Sequence, residues 1–391
     1  MKKILAIGLR TNQKLNIFSG QAMMFDALVD FLVANNFTVG VIDLTSEYTN
    51  IKIGKFSLIR TLEYLKIIIG SINKFIKYRG GLLYINTAQT KAGFLRDLFF
   101  VNLAWLFRYR ILMQQFGSNF GNFYSELSPW FKYLVRTNFN KGHFIIVEGE
   151  FTKCQFSMLY NYQNKVVSVS NGLPERNLLI TNKGKIYNPN HTFNLIYLSY
   201  MIESKGYWDV LKALNILVNT YNMNVHCVFA GSFKNSVDAV LHINELEAEE
   251  AFKLYILKNN LQNHVTYYAG LMGNAKAQAF LKANIFLLPT YFKFEGQPVS
   301  VLEAMAYGAV PVVTNYRMIP NMVTPEVGLF VDPRSPDQIA EKVLFLIKNP
   351  KTYATYSQAS VDRFLEKYTL DSYSKNILNL IKMTLKEQNF E

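Results

Sequence analysis

Cysteine is nearly absent from this chain: among 391 residues only Cys154 and Cys227 occur, and they form no CxxC pair. Neither a disulfide framework nor a cysteine zinc site is therefore expected. Long apolar runs are missing too, since the longest candidate, residues 98–107, is far shorter than the roughly 20 residues of a membrane helix. The opening MKKILAIGL is too brief for a signal peptide and leads into polar residues, so we expect it to be a strand.

Acidic residues are scarce in the first half of the chain. Residues 1–185 contain 23 Lys and Arg against 10 Asp and Glu, whereas residues 186–391 contain 18 of each. The net charge of +13 therefore lies entirely in the N-terminal half. This asymmetry indicates an anionic partner: membrane lipid, a phosphorylated acceptor or nucleic acid. Nucleic acid is disfavoured, because the sequence has no helix-turn-helix, RNP-type strand or zinc module to read bases.

Part of this charge lies on a predicted helix, residues 56–79. Apolar residues recur there at spacings of four and three: Leu58, Leu62, Leu65, Ile69, Ile72 and Ile76. The basic residues fall away from this stripe: Arg60, Lys66, Lys74 and Lys77. Two interpretations stay open. Either the helix packs on its domain and its basic face is solvated, or the basic face lies against anionic lipid headgroups.

Strand and helix patterns alternate from end to end, which predicts an α/β fold with parallel sheets and helices on both faces. A chain of this length predicts two domains. Strands are expected at residues 3–8, 38–44, 82–86, 111–115, 144–147, 166–169, 194–198, 225–230, 265–268 and 285–289. Helices are expected at 20–35, 206–221, around 251–259, at 274–283 and at 370–386. The polar stretch 181–192 is the expected linker, between domains 1–182 and 193–369.

The most informative segment is 289–313, PTYFKFEGQPVSVLEAMAYGAVPVV. Glu295 precedes a glycine and a proline and is expected in a loop, whereas Glu303 falls in a helix that starts near Pro298 and ends at Gly308. An apolar strand follows. The free N–H groups of such a helix start suit an anion, and the two carboxylates suit hydroxyl groups, because each accepts two O–H bonds. Together they predict a nucleotide-sugar pocket.

This segment resembles the E-x7-E signature of the retaining glycosyltransferases of family 4. That resemblance implies the GT-B fold, in which two Rossmann-like domains face each other across a cleft. It also implies that the C-terminal segment 370–391, with the last predicted helix, crosses back onto the first domain. In the family the first Glu lies against the transferred sugar and the second holds the ribose, which assigns these roles to Glu295 and Glu303.

Smaller motifs fit the same resemblance. Gly20 and Gln21 open a helix after the first strand, where a glycine lets a diphosphate approach the backbone. Lys205 and the glycine after it resemble the family's Lys-Gly pair, whose lysine contacts the diphosphate. Gly270 and Leu271 resemble the loop that packs on the nucleotide base. The remaining donor-binding candidates lie between the two glutamates: Gly296, Val299 and Ser300.

Two positions depart from the family pattern. The loop QQFGSNFGNFY at 114–124 resembles the family's HGGNF-type loop, but Phe116 stands where the histidine would be. Its acceptor-side candidates are Phe116, Ser118 and Asn119. Tyr200 occupies the position where the family usually has Arg or Asn before the Lys-Gly pair. The diphosphate is therefore expected to rely more on Lys205 and on backbone N–H groups.

Two motifs of other chemistries are missing. There is no Asp-x-Asp to hold a diphosphate through a metal, and no G-x4-G-K-[ST] phosphate loop. We therefore expect a metal-independent enzyme without a cofactor, the nucleotide sugar being a substrate. Its transition state should resemble an oxocarbenium ion, with Glu295 as an electrostatic and positioning residue. The five histidines show no ligand-like spacing and are expected to be structural.

The function expected from the residues and the resemblance is retaining sugar transfer from a nucleotide-sugar donor to an envelope polysaccharide or a lipid-linked glycan. We expect a cytoplasmic protein that is peripheral on the inner face of the plasma membrane and binds anionic lipid but no nucleic acid. Two alternatives remain: a nucleotide-sugar 2-epimerase of the same fold, and a catalytically impaired GT-B protein that binds glycan or lipid.

Overall fold

The computed structural model describes residues 2–12, 20–45, 58–173, 183–234, 241, 244–293 and 295–386, with only the backbone of 58–62. The chain divides into two compact units. Unit 1 combines Met1–Pro174 with Thr369–Glu391, and unit 2 is Glu175–Tyr368. The sequence placed the linker at 181–192, and the described part of that stretch, from residue 183, is attached to unit 2.

The described part of unit 1 contains a sheet of six parallel strands in the order β2-β1-β3-β4-β5-β6. The strands are β1 (Lys3–Gly8), β2 (Thr38–Asp43), β3 (Leu82–Asn86), β4 (Arg110–Gln115), β5 (Phe144–Val147) and β6 (Val166–Ser168). Most are nearly continuous apolar runs, as parallel strands are when both faces of their sheet are covered. The opening segment is thus a strand, as predicted.

Helices cover both faces of this sheet. They are α1 (Gly20–Ala34), α2 (Leu58–Lys77), α3 (Lys91–Leu106), α4 (Phe120–Ser125), α5 (Pro129–Asn140), α6 (Glu150–Lys153) and α7 (Tyr162–Lys165). On one face α1 contributes Met24 and Phe25 to a buried cluster. On the other face α2, α3 and α5 share a second cluster, which includes Phe75, Phe94 and Phe131.

Helix α2 is buried on a different side from the one its stripe predicts. The side chains in contact with the core are Phe75 and Tyr78, with Ile68 half-buried beside them. The described residues of the predicted stripe are exposed: Leu65 (47%), Ile69 (67%), Ile72 (38%) and Ile76 (49%). Leu58, Leu62 and Arg60 lie outside the described side chains. The helix therefore carries two apolar faces, and the aromatic one packs because its larger rings fill the space beneath it.

Unit 2 is built in the same way, with six parallel strands in the order β12-β11-β10-β7-β8-β9 among its described residues. The strands are β7 (Phe193–Leu198), β8 (Val225–Ala230), β9 (Val265–Tyr268), β10 (Ile285–Leu288), β11 (Val310–Thr314) and β12 (Leu329–Val331). Both sheets match the α/β class and the parallel arrangement that the sequence predicts.

The helices of unit 2 again alternate with its strands. They are α8 (Tyr207–Asn215), α9 (Glu245–Lys258), α10 (Gly273–Lys282), α11 (Val299–Ala306), α12 (Ile319–Met322), α13 (Pro336–Lys348) and α14 (Pro350–Lys367). The predicted helix at 206–221 is α8 continued by a π-helical turn, Ile216–Thr220. The described part of the predicted linker is hydrogen-bonded to α14 of this unit. The Lys185 N–H donates to Ser357 Oγ at 2.7 Å, and the Gly184 N–H donates to Gln358 Oε1 at 2.8 Å.

The last helix, α15 (Leu370–Lys386), has the bounds that the sequence predicts and lies in unit 1. Its buried residues Tyr373, Ile377 and Ile381 join the cluster of α1. The Tyr373 hydroxyl donates to Gln114 Oε1 at 2.8 Å, which links α15 to the end of β4.

Candidate functional site

The chain reverses direction in the middle of the unit 2 sheet. β7 leads to β8 and β9 on one side, and the chain then returns to β10 on the other side of β7 and continues outward to β11. Ligands of open α/β sheets bind beyond the carboxyl ends of the strands at such a switch point. The two loops that leave β7 and β10 at this point carry Lys205 and Glu295.

These two loops are held together by backbone contacts. Gly206 has a left-handed φ of +83°, and a Cβ added there would lie 2.6 Å from the Pro289 carbonyl oxygen. Only glycine allows this approach. The Tyr291 N–H also donates to the Ser204 carbonyl at 2.7 Å. Lys205, in the short 3-10 helix Glu203–Lys205, is thereby fixed beside the loop of Glu295.

Glu295 is a loop residue, and its side chain is almost fully buried, with 4% exposed. Lys205 Nζ donates to Oε1 at 3.1 Å, and Thr290 Oγ1 donates to Oε2 at 2.9 Å. The same ammonium lies 5.0 Å from the centre of the Phe292 ring. The two residues that the sequence assigns to sugar and diphosphate are therefore a buried ion pair in the described structure.

Glu303 lies in α11, which starts one residue after Pro298 and ends before Gly308 with its φ of +67°. Val299 and Ser300 are the first two helical residues, and Gly296 lies in the loop before them. N–H groups in the first turn of a helix have no preceding helical carbonyl, so they are available to an anion. The helix therefore starts where the sequence predicts.

A second lysine, which the sequence did not single out, contacts Glu303. Lys276 of α10 donates from Nζ to Glu303 Oε1 at 2.5 Å. Both side chains are largely buried, with 16% and 5% exposed. A buried ion pair contributes little net stability once the desolvation of both charges is counted. Lys276 and Glu303 are 27 residues apart on different helices, and no local pattern connects them.

The remaining predicted residues of unit 2 lie in loops that follow its strands. Gly270 is exposed and Leu271 half-buried, in the loop between β9 and α10. Leu271 lines a cavity of about 490 Å³ together with His226 and Tyr268. Lys276 lies in α10, the helix that follows this loop, and its contact with Glu303 links α10 to α11. Tyr200 is 58% exposed just after β7.

The other candidates belong to unit 1. Gly20 is the exposed first residue of α1, and Gln21 is half-buried. Phe116 follows β4, packs against the cluster of α1 and α15, and accepts at its carbonyl from Gln115 Nε2 at 3.0 Å. Its half-buried ring therefore packs against the core at the position where the family pattern has a histidine. Ser118 is buried in the same loop, and Asn119 directly precedes α4.

Part of the chain resembles a known protein family. Residues 181–363 match the family model described as Glycosyl transferases group 1. A sucrose synthase of Melioribacter roseus is 28% identical over 156 residues, which cover 36% of this chain. The match spans about a fifth (19%) of the length of that relative.

Two solved structures cover nearly the whole chain. The first is a glycosyltransferase from Rickettsia africae, with a TM-score of 0.71, 14% identity, and coverage of 98% of this chain and 99% of that chain. The second is Anabaena HepE in complex with UDP, with a TM-score of 0.66, 13% identity, and coverage of 98% and 100%. At these identities the likeness concerns the fold, which is GT-B.

Proposed function

We propose that this chain, whose residues 181–363 match the glycosyl transferases group 1 family model, is a retaining glycosyltransferase of family 4 that uses a nucleotide-sugar donor. The proposal rests on two largely buried ion pairs, Lys205–Glu295 and Lys276–Glu303, on the elements around the switch point. HepE, which shares the fold, is described in complex with UDP. A nucleoside diphosphate suits the lysines and the α11 start, and hydroxyl groups suit the carboxylates.

In the proposed reaction the bond between the sugar C1 and the leaving phosphate oxygen breaks. A bond from C1 to the acceptor oxygen forms on the same face. The acceptor proton passes to an oxygen of the departing diphosphate. Negative charge that builds on the diphosphate is stabilised by Lys205 and by the N–H groups of Val299 and Ser300. Glu295 stabilises the positive charge on the sugar ring.

The ion pairs of the donor-free protein hold these side chains in place for the reaction. Lys205 neutralises Glu295 when no donor is bound, and the diphosphate of a bound donor would share the Lys205 ammonium. Glu303 holds the ribose, and Gly270 and Leu271 pack on the base. Charge stabilisation by lysine and N–H groups takes the place of a metal, so we propose metal-independent transfer without a cofactor. The proposed acceptor is an envelope polysaccharide or a lipid-linked glycan, reached through Ser118 and Asn119.

The surface of unit 1 supports a membrane-bound acceptor. Helices α2 and α3 pack together, with the Arg96 guanidinium 5.1 Å from the centre of the Tyr64 ring, and both bury one side in the same cluster. Exposed apolar side chains lie on the side that faces away from the core, which we term the outer face: Leu65, Ile69, Ile72, Ile76, Leu95, Phe99 and Leu106. No described helix is long and apolar enough to span a bilayer. Exposed apolar residues among lysines fit the interface of an anionic membrane.

We therefore expect salt-dependent binding to phosphatidylglycerol vesicles. Binding should be present at low salt and fall steeply above about 0.1 M, where the screening length is about 10 Å. Reversing Lys66, Lys74 and Lys77 to Glu should weaken binding by at least about 100-fold, since each basic residue near the surface contributes roughly 1 kcal/mol. Replacing Ile69 and Ile72 by Ser should weaken binding at every salt concentration. Vesicle co-sedimentation measures both effects.

A matched control reverses the exposed lysines Lys258, Lys348 and Lys351 of unit 2, which changes the net charge by the same amount. This control should bind vesicles almost as the wild type does. Equal binding to neutral phosphatidylcholine vesicles, or an equal loss in the control, would contradict the outer face as the membrane-binding surface.

A further inference from the structure

We propose that Lys276 is a positioning residue for the nucleotide ribose, acting through Glu303. This inference rests on the proposed function and deepens it. Lys276 lies one turn into α10, and its ammonium contacts Glu303 Oε1 at 2.5 Å across to α11. The Glu303 side chain is buried and the Lys276 side chain is largely buried. The contact therefore connects the helix after the base-binding loop to the helix that carries the ribose-binding carboxylate.

The physical reason concerns the cost of burying a carboxylate. A buried carboxylate without a cation is unstable in its ionised form. Glu303 is only 4% exposed, and Lys276 supplies a compensating charge. Because the ammonium binds one carboxylate oxygen, it also restricts the rotation of the Glu303 side chain. An ionised, oriented carboxylate accepts the two adjacent hydroxyl groups of a ribose better than one that can rotate.

The same position could instead serve the phosphates, and the two roles give different results. A lysine that contacts phosphate contributes equally to a nucleotide with and without ribose hydroxyl groups. A lysine that positions Glu303 contributes only when those hydroxyl groups are present. The positioning role is therefore measured by a ratio of two dissociation constants, that of a 2′,3′-dideoxynucleoside diphosphate over that of the parent nucleoside diphosphate. A general loss of folding would weaken both nucleotides and leave this ratio unchanged.

The test measures this ratio by isothermal titration calorimetry, using whichever of UDP, ADP and GDP the wild type binds best. We expect the wild-type protein to bind the dideoxy analogue about tenfold more weakly or worse, as expected for leaving buried polar groups unpaired. Lys276→Met should bind the parent nucleotide more weakly by about the same factor, so that the ratio should fall towards one. Lys276→Arg keeps a donor to the carboxylate and should retain most of the wild-type ratio.

The control is Lys258→Met, which removes an exposed lysine of α9 in the same unit and should leave the ratio unchanged. If Lys276→Met weakens both nucleotides equally, or leaves both unchanged, the positioning role is overturned while the proposed function stands. If the wild-type protein binds none of UDP, ADP and GDP, the proposed function itself is overturned, and this inference with it.

Discussion

Replacing Glu295 by Gln should lower the turnover number by roughly 100- to 1000-fold, the range typical of removing one preorganised electrostatic contact to a transition state. The substitution keeps the shape and one oxygen that can accept from Lys205 or Thr290, so the protein should still fold. It removes the negative charge that stabilises the oxocarbenium-like sugar. The affinity for the nucleoside diphosphate should stay near the wild-type value, because the ribose and phosphate contacts remain. Steady-state turnover and calorimetric titration measure the two effects separately.

Glu341→Gln is a matched control for this variant, because Glu341 is an exposed carboxylate of α13 in the same unit. It should change neither turnover nor affinity. A Glu295→Gln protein that turned over its donor at the wild-type rate would show that the E-x7-E resemblance reflects the fold without the chemistry.

Replacing Glu303 by Gln should act mainly on binding. The ribose is held in the ground state and the transition state alike, and loss of such uniform binding raises the Michaelis constant with little effect on turnover. The loss should be roughly 1–3 kcal/mol, or about 5- to 150-fold in the dissociation constant of the nucleoside diphosphate. Lys276 would also lose its carboxylate partner, so thermal unfolding should be followed alongside the calorimetry.

A Glu303→Gln protein with unchanged nucleotide affinity and reduced turnover would contradict the ribose assignment. That result would move Glu303 from donor binding to the chemical step, because only a contact specific to the transition state lowers turnover alone.

Much of the fold could be predicted because hydrophobic periodicity and turn residues act locally. β3, β5, β8 and β9 have the predicted bounds, residue for residue, since each is a short apolar run. α15 likewise begins and ends where its pattern does. The spacing of Glu295 and Glu303 correctly placed one carboxylate in a loop and the other in a helix, because the glycine and the proline between them require it.

What the sequence did not predict depends on contacts between distant segments. Lys276 meets Glu303 only because the fold of unit 2 brings α10 and α11 within reach of one long side chain. An isolated lysine on a short helix has no sequence signal of its own. Helix α2 has two apolar faces, and which one packs depends on the space that Phe75 and Tyr78 fill in the core. Phe116 similarly belongs to a cluster that includes residues of the C-terminal helix, far away in the sequence.

Glycosyl transfer from a nucleotide sugar can be tested directly. UDP-, GDP- and ADP-sugars are added in turn to the pure protein, with a membrane lipid extract as acceptor. The release of free nucleoside diphosphate is measured with and without EDTA. We expect release from at least one donor, retention of the anomeric configuration in the product, no effect of EDTA, and near-complete loss of release in Glu295→Gln. Binding without release would instead indicate a glycan- or lipid-binding protein. Conversion of the sugar on its nucleotide would indicate a 2-epimerase, and either result would contradict glycosyl transfer.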